Sequence, residues 1–188
     1  MSAAPARGER FCLHDSDAVE AVLDRMAAQA AGLLAGAADP LLLGILRRGM
    51  PLAQMLQARL RERHGLALPC HGLRLKRYAD DLSLLHPETE LTENPEFSAR
   101  DLSRATVLVV DDVLYEGHSL ARVLAYLSRR GAATVRAAVL ADRCVARLPV
   151  AADIVGVRLQ LAAGDVVECQ VPPFEGALGI ELLRPLPA

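Results

Sequence analysis

The chain has no tryptophan and only three phenylalanines and three tyrosines in 188 residues. That is too few rings for the stacked platforms that hold single-stranded nucleic acid. Its four cysteines, Cys12, Cys70, Cys144 and Cys169, form no C-x-x-C pair and do not cluster with histidine, which excludes the usual zinc and disulfide frameworks. They are expected to be reduced thiols, most of them in the core. No window carries the roughly 18 uninterrupted apolar residues that a spanning helix needs. The opening MSAAPARGER lacks the apolar segment of a secretory signal, so the expectation is a cytoplasmic protein with no membrane partner. A formal net charge of −2 gives no whole-molecule field to gather polyanions, and any anion site must be local.

What is present is an apolar fraction of 52% supplied by Leu, Val and Ala, enough for one sizeable core, so residues 1–188 are expected to form one domain. From Asp17 the spacing Val19, Val22, Leu23, Met26, Ala30, Leu33, Leu34 predicts an amphipathic helix, with Asp17 and Glu20 as its capping box. Residues 41–45 read as a strand buried on both faces. Pro51 suits the first position of a second helix that Gly65 ends, and a further strand is expected to reach Tyr78. Residues 79–104 lose periodicity and turn acidic and proline-containing, the pattern of a flexible flap or lid. Residues 106–110 predict a buried strand, 119–130 a helix closed by Gly131, and 134–140 another strand. This order implies a right-handed crossover and a parallel sheet. Residues 154–159, 166–170 and 179–183 read as shorter strands over one edge.

The chemistry concentrates in VLVVDDVLYEGHS, residues 107–119. Open parallel sheets bind ligands beyond the carboxyl ends of their strands, and Asp111 and Asp112 are expected just after such a strand. Two adjacent carboxylates are costly to hold together unless a cation or hydroxyl donors share them, which suits a sugar diol, Mg²⁺ or both. The turn that follows, Tyr115, Glu116, Gly117, His118 and Ser119, opens into a helix whose first N–H groups can hold phosphate. A strand ending in acids also suits a nucleotide triphosphatase, but the G-x-x-x-x-G-K-[ST] loop is absent.

This segment resembles the signature of the type I phosphoribosyltransferases. That resemblance implies an α/β fold with a central, mostly parallel sheet flanked by helices, a small C-terminal hood at about residues 143–188 and a flexible flap at about 79–104. It also implies that Asp111 and Asp112 are the catalytic pair, holding the ribose hydroxyls of phosphoribosyl pyrophosphate (PRPP) and Mg²⁺, while residues 115–119 cradle the 5′-phosphate. GILRRGMPLA, residues 44–53, resembles the pyrophosphate loop of the PyrR branch, the pyrimidine-attenuation regulators of this family. Arg47, Arg48 and Gly49 are the residues it assigns to pyrophosphate. RYADDLS, residues 77–83, is similar to the start of that branch's flap and points to Tyr78, Asp80, Asp81 and Ser83. AVLADRCVARLPVAADIVG, through Gly156, extends the likeness to a base pocket at Arg143, Val155 and Val157, where Arg143 could donate to a base carbonyl.

The resemblance implies transfer of phosphoribose to a nucleobase, with uracil favoured. EGHS is similar to the EGHT turn of bacterial hypoxanthine-guanine enzymes, but Tyr115 stands where those carry an acid, and the purine alternative stays open. Glu116 replaces a threonine; aimed inward at about 5 Å from phosphate it would cost roughly 3 kcal/mol at an effective dielectric near 20, so it is expected to face outward. A regulator of pyrimidine genes that senses PRPP or nucleotide and binds RNA is the reading from another class. Arg59, Arg61, Arg63 and His64, with Arg74, Lys76 and Arg77, would supply its phosphate contacts. Family members are commonly homodimers or tetramers.

Overall fold

A computed structural model describes residues 8–74, 92–93, 95–162 and 164–186. In chain order the elements are β1 (Gly8–His14), α1 (Ser16–Leu34), β2 (Pro40–Ile45), α2 (Gly49–His64), β3 (Cys70–Arg74), β4 (Thr92–Glu93), α3 (Pro95–Ser98), β5 (Thr106–Leu114), α4 (His118–Arg129), β6 (Thr134–Asp142), β7 (Ile154–Arg158), β8 (Val166–Gln170) and β9 (Gly179–Pro185). The larger sheet runs β4-β3-β2-β5-β6-β7. Its neighbours from β3 to β7 are parallel, and β4 joins the edge antiparallel.

Successive strand side chains face opposite sides, and here both sides are covered. Leu42, Leu108, Val110, Ala138 and Leu140 meet α1 and α2 in one cluster. Leu41, Leu43, Val107, Val109, Ala137 and Val139 meet Leu120, Val123 and Leu127 of α4 in the other. That two-sided burial is why these strands read as unbroken apolar runs.

A second sheet, β1-β9-β8, is antiparallel. Its Val167, Cys169 and Ile180 belong to the α1–α2 cluster, so this hood lies on that side of the large sheet. The expectation of 143–188 as hood is corrected at β7, which pairs parallel with β6. The hood instead takes β1, from the other end of the chain, as its third strand.

Several boundaries move for local reasons. Helix α1 is capped by Asp15, whose side chain accepts from the Ala18 N–H at 3.0 Å, and not by an Asp17–Glu20 box. Pro51 is the third residue of α2, not the first; it is tolerated there because first-turn N–H groups have no intrahelical acceptor. Gly65 does end α2, in the left-handed region at φ 66°. Two of the cysteines, Cys12 and Cys144, are exposed, while burial pushes the Cys70 thiol up to about 11. Residues 95–104, expected in the flap, instead supply Phe97 and Leu102 to the α4-side cluster. Tyr78, Asp80, Asp81 and Ser83 lie outside the described residues. Among the described residues no helix is long and apolar enough to cross a membrane.

Candidate active site

Strands β2, β5 and β6 are neighbours with parallel register, so the loops leaving their carboxyl ends converge. The acids are not beyond the strand as expected. Both lie inside β5, because β6 extends to Asp142 and pairing continues through Asp111 with Val139 and Leu114 with Asp142. The two acids are half-buried and turn different ways. Asp111 lines a cavity of about 180 Å³ with Tyr115, Glu116, Gly117, His118 and Ser119. Asp112 is the acid whose charge bears on Arg48, and its backbone oxygen accepts from the Cys169 thiol at 3.7 Å. Consecutive residues of a strand point to opposite faces, so the pair spans the Gly117 turn on one side and the hood on the other.

The turn at Gly117 has φ 89°, and no side chain caps the α4 amino terminus that begins there. The first N–H groups of a twelve-residue helix therefore lie beside the cavity with no bond from an N-cap side chain, an arrangement suited to an anion. Glu116 is paired, its Oε1 3.2 Å from Arg147 Nε and its Oε2 3.6 Å from His118 Nε2. Tyr115 is 45% exposed.

The loop after β2 sits tightly on β5. A Cβ at Gly49 would lie 2.4 Å from the Val110 oxygen and 3.1 Å from the Asp111 Cα, backbone in both cases. Glycine is thus what lets the arginine loop reach the carboxylates. Gly49→Ala is expected to push that loop off β5 and to lower the melting temperature by roughly 2–10 °C. A thermal melt checks this, and an unchanged transition would mean that the loop can shift freely.

Arg48 donates from Nε to Glu175 at 3.2 and 3.3 Å and from Nη2 at 2.5 Å. Glu175 also accepts from the Val171 N–H at 2.8 Å. Arg47 lies over the Phe174 ring, 4.9 Å from its centroid. Both arginines of the loop are therefore held by consecutive residues of the segment joining β8 to β9. Sequence reasoning missed Phe174 and Glu175, since nothing local in VPPFEG marks them as partners of residues so far away in the chain.

The Arg48 guanidinium holds the Glu175 carboxyl below the usual glutamate value. A carboxyl lowered by folding stabilises the folded chain above its unfolded pKa and stops doing so as pH falls through its folded pKa. Solvent exposure of the pair limits the contribution to about 1 kcal/mol or less. Glu175→Gln is expected to melt slightly below the wild type at neutral pH, with the gap closing on acidification below the usual glutamate range. Melts of both proteins across that range test it, and a gap independent of pH would assign the difference to packing.

Arg143 departs from its expected role. It is 2% exposed, and its Nη atoms donate to the carbonyl oxygens of Leu161, Ala162 and Asp165 at 3.2, 2.7 and 3.4 Å. It builds the turn before β8, because a buried guanidinium needs acceptors and three carbonyls supply them. Val155 and Val157 separate by strand alternation: Val155 packs on the α4-side cluster, Val157 on the side shared with the hood. The basic stripe of α2 is also paired, Arg59 with Glu20 and Asp24, and Arg63 with Asp24 at 2.7 Å. Lys76 and Arg77 lie outside the described residues.

A family model described as the phosphoribosyl transferase domain matches residues 12–173. The chain belongs to this family of phosphoribosyltransferases. It is similar to two bacterial relatives, each called bifunctional protein PyrR. The Deinococcus deserti protein is 35% identical over 170 residues, covering 89% of this chain and 91% of the relative. That of Roseiflexus sp. is 34% identical over 181 residues, covering 94% and 96%. The hypoxanthine phosphoribosyltransferase of Trypanosoma cruzi has the same fold, with TM-score 0.72 at 17% identity over 93% of this chain and 97% of that one. A ternary substrates complex of that enzyme gives TM-score 0.76 at 18% identity, covering 95% and 96%.

Proposed function

We propose that the protein transfers 5-phosphoribose from PRPP to a ring nitrogen of uracil, releasing pyrophosphate. The observation that carries this is the convergence at one sheet end of three parts. These are the α4 amino terminus without a side-chain cap, the Asp111–Asp112 pair, and the arginine loop drawn onto them by Gly49. The PyrR relatives and the absence of an acid at Tyr115 favour uracil over a purine.

In this reading a bond forms from the base nitrogen to the anomeric carbon as the bond from that carbon to the pyrophosphate oxygen breaks. Pyrophosphate leaves with the electron pair, and the proton of the base nitrogen passes to solvent. Positive charge grows on the ribose, and the carboxylates of Asp111 and Asp112 stabilise it. Residues 115–119 fix the 5′-phosphate, chiefly through backbone N–H groups, and Arg47 and Arg48 release Phe174 and Glu175 to meet the leaving group. The base lies under the hood near Val157, in a wall that Arg143 braces.

The donor set fits Mg²⁺: two half-buried carboxylates offer hard oxygen ligands. No group of three or more His, Cys, Asp or Glu that could hold a metal occurs among the described residues, and this ion commonly completes its shell with water and substrate phosphates. Asp111 or Asp112, which face different sides of β5, would hold it through one carboxylate, and when bound it would neutralise phosphate charge.

The test is PRPP and Mg²⁺ with uracil, hypoxanthine and guanine supplied separately, following pyrophosphate release. Release with uracil is expected. Release only with hypoxanthine or guanine would transfer the assignment to purines, and release with no base would sink the enzyme reading for this site.

A further inference from the structure

The phosphate turn carries a carboxylate where an anion must sit. Glu116 lines the cavity beside Gly117, His118 and Ser119, and a negative side chain there opposes a phosphate of about two negative charges. The neighbouring loop meets the turn in three places, and one of them answers that charge. Arg147 Nε lies 3.2 Å from the Glu116 carboxylate, and the Arg147 backbone N–H donates to the Glu116 carbonyl at 3.0 Å. The same loop also packs on the turn itself, since a Cβ at Gly117 would come within 2.6 Å of Val150 Cγ2. His118 Nε2 flanks the carboxylate at 3.6 Å but offsets its charge only when protonated.

We infer that Arg147 is a positioning residue for PRPP: it captures the Glu116 carboxylate, keeps it off the 5′-phosphate seat, and so makes this turn able to bind an anion. The inference rests on the phosphoribosyl-transfer reading above. Arg147 is 75% exposed, so the pair adds little to folding stability. Its consequence falls on binding, because the phosphate and the carboxylate compete for the same small region of space. Arg147 acts through Glu116 and does not itself touch the substrate.

That distinction sets the experiment. PRPP binding in the presence of Mg²⁺ is measured by calorimetry at low and high salt for the wild type, Arg147→Ala, Arg147→Lys, and Glu116→Gln alone and combined with Arg147→Ala. Steady-state KM and kcat are measured alongside. Arg147→Ala is expected to weaken PRPP binding roughly tenfold at low salt, with less effect at high salt. KM for PRPP should rise while kcat and the melting temperature hold. Arg147→Lys keeps the charge and should bind within about threefold of the wild type. Adding Glu116→Gln to Arg147→Ala should restore binding, since no carboxylate remains to be held away. Wild-type affinity in Arg147→Ala overturns the inference. So does a loss that Glu116→Gln fails to repair, which would make Arg147 a direct phosphate ligand. A wild type that binds no PRPP fails one step earlier, overturning the reading on which the inference stands.

Discussion

Asp112→Asn is expected to lower kcat on the order of a hundredfold or more while leaving the fold intact, and Asp111→Asn to do the same by a different route. Asparagine keeps the size of the side chain and an oxygen acceptor, so packing and the local contact with the Val113 N–H, 3.0 Å from Asp112 Oδ1, can persist. What disappears is the charge that answers the cation growing on the ribose. The two acids divide the site, and this makes the variants distinguishable. Asp112 bears electrostatically on Arg48, so its neutralisation should also change the affinity for pyrophosphate. Asp111 lines the cavity of the phosphate turn, and its loss should leave pyrophosphate affinity unchanged while altering PRPP binding. Single-turnover rates for both variants, with product-inhibition constants for pyrophosphate, test this. Full activity in either variant would remove that acid from the catalytic pair, and equal pyrophosphate effects would refute the division between them.

What could be read from the sequence was whatever local spacing determines. The runs at residues 41–45 and 106–110 announced strands covered on both faces, and Gly65 and Gly131 announced helix ends, both in the left-handed region. The two acids followed by a glycine turn pointed to the end of β5, where Asp111 and residues 115–119 line one cavity. Contacts between distant segments were not legible. Strand β1, GERFCLH, has mostly exposed side chains and no apolar alternation to mark it; it is a strand because it pairs with β9 at the other end of the chain. Arg48 was found, but its partner Glu175 was not. Glu116 was expected to turn outward; it is among the residues that line the cavity, and its partner Arg147, in a different loop, was not foreseen. Arg143 was read as a donor to a base carbonyl, whereas in the fold its Nη atoms donate to three backbone carbonyls that local sequence could not reveal.

The largest loss of stability is expected from a residue inside the segment that resembled a lid. Phe97→Ala should cost about 3–5 kcal/mol and lower the melting temperature by roughly 6–20 °C. The ring is fully buried and packs with Leu43, Leu73, Leu102 and Val123 in the α4-side cluster. The His71 ring lies 5.5 Å away, and the Arg130 guanidinium stands over the Phe97 face at 5.6 Å. Arg130 fastens the surrounding backbone, donating from Nη2 to the carbonyl oxygens of Phe97, Ser98 and Arg100 at 3.3, 3.0 and 3.1 Å. The short helix α3 is thus tied at once to the sheet and to the residue that follows α4. Truncating the ring leaves a cavity that this braced backbone cannot collapse to fill. Phe97→Leu keeps much of the volume and should recover a large part of the loss. The alternative makes the opposite forecast: if residues 95–104 moved with a lid, Phe97→Ala would leave the melting temperature within about 1 °C and change only the kinetics of substrate closure. Thermal and urea denaturation of the two variants decides between a core anchor and a hinge.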